Sequence, residues 1–378
     1  MTITRRRALS ALAAGVVGSA GCLGEVSEAV PNRDTTETDG DCGTTVDGEV
    51  IEDPDLVDAH DGIPVAEPPL YLPYETEHLR EEAVSGGVGQ DGIPSIDSPK
   101  FAAASEAELA SGDPIFGVVR NGHARAYPQC ILVWHEIVND VIAGDPIAVT
   151  YCPLTGTAQG FERGDTTFGV SGSLVSSNLI MYDRGSDSWW PQIFSSGIDG
   201  PHEGDSLREF RVIWTTWGRW VQAHPDTVVL TDDTGFARRY GVDPYGEYNP
   251  LDGYYAEGGA MFTPLDWDEQ ARAAEKAVVL GGRTDAGAIA FKKDSLLDER
   301  VLTGSIGDRP VVAVSDPRLE TGYLYTNPNE VPVDADGVGY DVEGETYPPD
   351  ELPLEGILCF DAMWFAWFGC YPTTEYVE

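Results

Sequence analysis

Between Pro114 and Tyr182 the chain reads as short apolar runs broken by turn residues. Ile115–Arg120 and His123–Tyr127 flank Asn121-Gly122, a pair that tolerates the positive φ values of a two-residue hairpin turn. Ile131, Trp134, Val138 and Val141 fall at i, i+3, i+7 and i+10, which predicts a helix over Ile131–Val141. Ile147–Tyr151 reads as a buried strand, and Thr157–Phe161, Thr167–Val170 and Leu179–Tyr182 as further strands. Trp214, Trp217 and Val221 share one face of a predicted helix over Trp214–Ala223, which His224-Pro225 ends. The pattern predicts an α+β fold with β in the majority.

The same pattern returns downstream. Ala126-Tyr127-Pro128, Asp145–Leu154 and Phe161 match Ala290-Phe291-Lys292, Arg309–Arg318 and Tyr325 at a constant offset of 164 residues. Trp217-Gly218-Arg219-Trp220 and His224-Pro225 match Trp364-Phe365-Ala366-Trp367 and Tyr371-Pro372 at an offset of 147. The second stretch is thus 164 − 147 = 17 residues shorter in between. These offsets predict two tandem copies of a mixed sheet-plus-helix unit packed as one compact body. The first copy spans 70–231, a Gly-, Tyr- and Pro-rich linker 232–276, and a second, degenerate copy 277–378.

Residues 23–69 are rich in Asp, Glu, Gly, Thr and Pro without apolar periodicity, and read as a disordered acidic tether. Cys42 lies in it with no evident partner. Residues 1–22 read as an address: Arg5-Arg6-Arg7 precedes an apolar stretch from Ala8 to Ala20. That stretch is shorter than the roughly 20 residues a membrane-spanning helix needs. Ser19-Ala20-Gly21-Cys22 follows, so the segment reads as a twin-arginine lipoprotein signal with Cys22 as the lipidation site. The expected location is the extracytoplasmic face of the membrane, with the lipid anchor as membrane partner and any protein partner left open.

Charge changes the picture next. The chain has 64 Asp+Glu against 23 Lys+Arg, a net charge of −41. No basic patch of the kind a nucleic acid requires can be assembled, so a nucleic-acid partner is excluded. Only four residues are Lys, and the acids are dispersed. At molar salt the Debye length falls to about 3 Å and most surface repulsion vanishes, which points to a halophilic setting.

Candidate chemistry concentrates in the first copy. Cys152 ends a buried-type strand before Pro153-Leu154-Thr155-Gly156. A thiol there suits a soft metal such as copper, a nucleophile or plain packing. His135 and Asn139 lie four apart on the predicted helix, beside Glu136. The spacing resembles a zinc helix, but Asn139 stands where the second His is required. Met181 is a possible soft ligand. Glu136, Asn139, Thr155, Ser171, Asn178, Tyr182, Asp183 and Trp190 are the expected ligand-pocket residues. At an offset of 164, Cys152 and His135 are replaced by Asp316 and Glu299, so a site would belong to the first copy alone. Cys359 and Cys370 are predicted on one helix, roughly 16 Å apart, too far for a disulfide. No structural disulfide framework is expected. Motifs of the familiar serine hydrolases, nucleotide-binding loops and zinc ribbons are absent from the sequence.

The run Ala124–Pro128, Trp134–Asp140, Ala148–Thr157, Phe168–Gly172, Met181–Arg184 and His224–Thr227 resembles the uncharacterised family called domain of unknown function 3179. The resemblance covers roughly Pro114 to the C-terminus. Members of that family commonly carry Cys-Pro-Leu-Cys where this chain has Cys152-Pro153-Leu154-Thr155, which argues against a dithiol centre here. The resemblance implies a fold group and no activity. The expected function is a membrane-anchored protein binding a soft metal at Cys152, His135 and Met181, or a small ligand there. A cysteine-dependent enzyme with His135 as base, or a non-catalytic surface scaffold, are the alternatives.

Overall fold

The computed structural model describes residues 48–51, 62–267 and 273–378. Cys22, the twin-arginine segment and Cys42 lie outside the described residues. Among those described, twenty-four strands and six α-helices form a β-rich α+β body.

The first half is built on two sheets. One has the order Ile213–Thr216, Pro114–Arg120, His123–Pro128, Val228–Leu230, Phe101–Ala103. The other has the order Glu209–Phe210, Thr157–Glu162, Asp145–Cys152, Ile137–Ile142. In the second half, Cys359–Met363, Val278–Thr284, Gly287–Lys292 and Glu375–Val377 form one sheet. Val301–Ile306, Arg309–Asp316, Thr321–Thr326 and Gly356–Ile357 form the other. In each half the first sheet contains one parallel pair, Val228–Leu230 on His123–Pro128 and Glu375–Val377 on Gly287–Lys292.

The halves differ in what is inserted. The first carries a four-stranded sheet, Val84–Ser85, Phe168–Val175, Asn178–Asp183, Trp189–Pro191. The second carries a three-stranded one, Val333–Asp336, Gly339–Val342, Glu345–Tyr347.

Local chemistry sets several of these elements. The expected hairpin forms, with Asn121 and Gly122 at φ 49° and 80°. The helix expected over Ile131–Val141 is shorter, Gln129–His135, and Ile137–Ile142 is a strand. Glu136 ends the helix at φ 57°, and the β-branched residues beyond it alternate on a sheet, where they pack better than on a helix. His135 and Asn139 therefore do not share a helix face. The helix expected from Trp214 likewise begins at Trp217, because Ile213–Thr216 pairs with Pro114–Gly117. Cys359 lies on a strand rather than on the helix of Cys370.

Residues 62–69 and 48–51 are not free of the body. Val65 bridges Leu207 and Glu49 bridges Phe101, so packing begins before residue 70. The stretch expected to be a linker also packs inward. Tyr240, Tyr255 and Phe262 lie against the cores of the body. One core joins the halves directly: Ile193, Phe194 and Ile198 pack with Trp364, Trp367 and Tyr371. Cys130 is disulfide-bonded, a bridge that the expectation of no disulfide framework did not foresee. Cys152, Cys359 and Cys370 are free and buried.

Candidate functional site

Cys152 ends the Asp145–Cys152 strand, and its thiol faces the carbonyl of Ser177 at 3.8 Å. It is 1% exposed and sits in an apolar cluster with Leu154, Leu179, Met181 and Trp190. Burial, and then the neighbouring Glu136 carboxyl, push the thiol up to about 12. At neutral pH it is a thiol, not the thiolate that attacks or ligates. Met181 shares this cluster and is fully buried.

His135 is placed differently. Nδ1 lies 2.7 Å from the Pro94 carbonyl and Nε2 2.7 Å from the Tyr240 hydroxyl. The carbonyl can only accept, so Nδ1 carries the proton and Nε2 accepts from Tyr240. Burial pulls the ring down to about 4. Neither nitrogen is open to a metal or a thiol in this arrangement. Among the described residues, no group of three or more His, Cys, Asp and Glu side chains is arranged to hold a metal ion.

Most of the expected pocket residues are structural. Asn139 acts as a short strand: its Oδ1 accepts from Phe168 N at 2.9 Å, and its Nδ2 donates to Phe168 O at 2.8 Å and Asp97 at 2.7 Å. Thr155 and Asn178 belong to a buried network with Thr157 and Gln192. Ser171 donates to Ile180 O, and Tyr182 to Asp91. Asp183 accepts from Ser186, Ser188 and Trp190 Nε1, tying a turn to the core.

Glu136 is the exception. Its backbone N–H donates to Leu132 O and its carbonyl accepts from Tyr151 N, both at 2.7 Å. The side chain, 7% exposed, makes no hydrogen bond or ion pair with any described residue, and burial alone raises its carboxyl to about 8. Glu136 lines a small, partly open pocket of about 40 Å³, walled by Val88, Ile93, Leu154, Val170, Leu179 and Phe262.

The pocket has a local cause. The strand pair Phe168–Val175 and Asn178–Asp183 shifts register between Val170 and Leu174, so Ser171–Ser173 bulge away from the ladder, with Gly172 at φ 81°. A bulge bends its strand and leaves a gap beside it. Gly86, Val88, Ile93, Tyr245, Met261 and Phe262 also line the pocket. Sequence reasoning missed these lining residues because they sit in stretches without period. Their apolar residues among Gly and Pro were the only trace.

The arrangement can receive a small apolar molecule and present one acidic group to its polar end. No curated protein and no solved structure matches this chain. The comparison with protein families gives the identity that the motifs around Trp134, Cys152 and His224 suggested: over residues 90–374 the chain belongs to the family described as Protein of unknown function (DUF3179).

Proposed function

We propose that this protein is a lipid-anchored, extracytoplasmic binding protein of a high-salt environment, whose first half holds a small molecule in the Glu136 pocket. The anchor reading rests on Arg5-Arg6-Arg7, the apolar stretch and Cys22. The salt reading rests on the net charge of −41. We further propose that the halves are copies of one unit. The constant offset of 164 and the matching strand orders support this.

The binding reading is carried by one observation: a buried carboxyl with no hydrogen-bond or ion-pair partner among the described residues lines a mostly apolar pocket. An ionisable group in such a place is costly for the fold alone, and a mostly apolar pocket with few polar groups is the usual form of a small-molecule site. Ligand-observed NMR with phenol in high salt tests it. Saturation transfer is expected with the wild type and is lost in Leu154→Trp, which fills the pocket, provided the variant keeps its circular dichroism. Equal transfer in both, or none in the wild type, would remove the reading.

The soft-metal reading survives only if His135 leaves Tyr240 and Pro94. Its check is metal content of the mature protein against Cys152→Ser; equal, negligible metal in both ends it.

A further inference from the structure

The pocket is chemically one-sided. Among the described residues its lining supplies the Glu136 carboxyl and no lysine, arginine or histidine. The Glu136 backbone at the pocket is held on both sides and turns at φ 57°. A carboxylate kept in an apolar wall needs a counter-charge or a proton. The matched position in the second half shows another solution. Arg300 also turns there, at φ 73°, but its guanidinium donates to the Tyr340 hydroxyl and the Gly337 carbonyl. In the first half the equivalent side chain is an acid that faces open space.

We propose that the pocket takes a small alkylammonium ion, its cationic head paired with Glu136 and its apolar body against Leu154, Val170, Leu179 and Phe262. This rests on the pocket reading above and adds the ligand's charge. A hard cation fits poorly, since calcium takes six to eight oxygen ligands and magnesium a near-octahedral set. Zinc needs at least three protein ligands, and the site brings one carboxyl with one thiol beside it. Phe262 and Tyr245 also line the wall, and an aromatic face attracts an ammonium group that meets it. The net charge of −41 concentrates cations near the surface. In strong salt that long-range pull is screened, so contact inside the pocket decides selectivity.

Titration calorimetry of the full chain in high salt near pH 9 separates the possibilities, using n-butylammonium and n-butanol. These share shape, and the amine stays protonated because its basicity is close to that of lysine. The expected result is at least tenfold tighter binding of butylammonium, with most of that preference lost in Glu136→Gln. Butanol binding as well as or better than butylammonium to the wild type overturns the cation while leaving the pocket standing. Neither compound binding the wild type overturns both. The wild-type comparison decides the matter even if Glu136→Gln folds poorly.

Discussion

Glu136 and His135 are sequence neighbours with opposite fates. His135 gives up its charge and is fully hydrogen-bonded, while Glu136 keeps an acid that no described residue answers with a hydrogen bond or ion pair. The linkage follows from the raised carboxyl. Below the ordinary carboxylate range both folded and unfolded chains hold the proton. As pH rises toward about 8 the unfolded chain releases it first, so stability falls across that interval. Glu136→Gln removes the titration. Its melting temperature is expected to match the wild type near pH 5 and to exceed it at pH 8.5. A difference independent of pH would show that the carboxyl bears no burial cost. His135, pulled down to about 4, acts oppositely, losing stability as pH falls from about 6.5. It is present in both proteins and cancels.

At the scale of elements, each half is closed by a tryptophan pressed onto a glycine strand. A Cβ at Gly117 would lie 2.3 Å from the Trp220 ring, and one at Gly281 2.2 Å from Trp367. The indole nitrogens are anchored on Thr227 and Thr374 at 2.9 and 3.1 Å. Gly281→Ala is therefore expected to destabilise by about 1–3 kcal/mol through overpacking. Gly258→Ala, where an added Cβ meets nothing within 4 Å, should stay within about 0.5 kcal/mol. Denaturant midpoints for the two variants measure this, and equal midpoints would contradict it. The Trp-x-x-Trp spacing was legible in the sequence; the glycine beneath each ring was not. That contact joins residues about 100 positions apart for Gly117 and Trp220, far beyond any local period. The helix end at Glu136 also escaped periodicity. Val138 and Val141 fit a helical stripe and a strand equally, and tertiary pairing with Asp145–Cys152 chose the strand.

For the whole molecule, two kinds of electrostatics work at different ranges. Arg283 and Glu209, 1% and 6% exposed, meet at 2.8 Å across the junction of the halves. Glu209→Gln leaves a buried guanidinium without its counter-charge, at a cost of about 3–5 kcal/mol. The surface acids act at long range and are screened. Melting temperature is expected to climb with KCl in the wild type, and Glu209→Gln should run below it by a similar margin at each salt concentration. A salt-insensitive wild type would defeat the surface argument, and a margin that closes with salt would defeat the buried one. The sequence by itself determined the β-rich class, the family and the net charge, because composition, local period and short motifs carry them. Tertiary structure alone decided that His135 is engaged, that Cys152 is buried among apolar side chains, and that Glu136 faces a pocket. That pocket is assembled from Val88, Leu154, Val170 and Phe262, residues far apart in sequence. The register of a bulged strand brings them together, and register is fixed by packing rather than by neighbours in the chain.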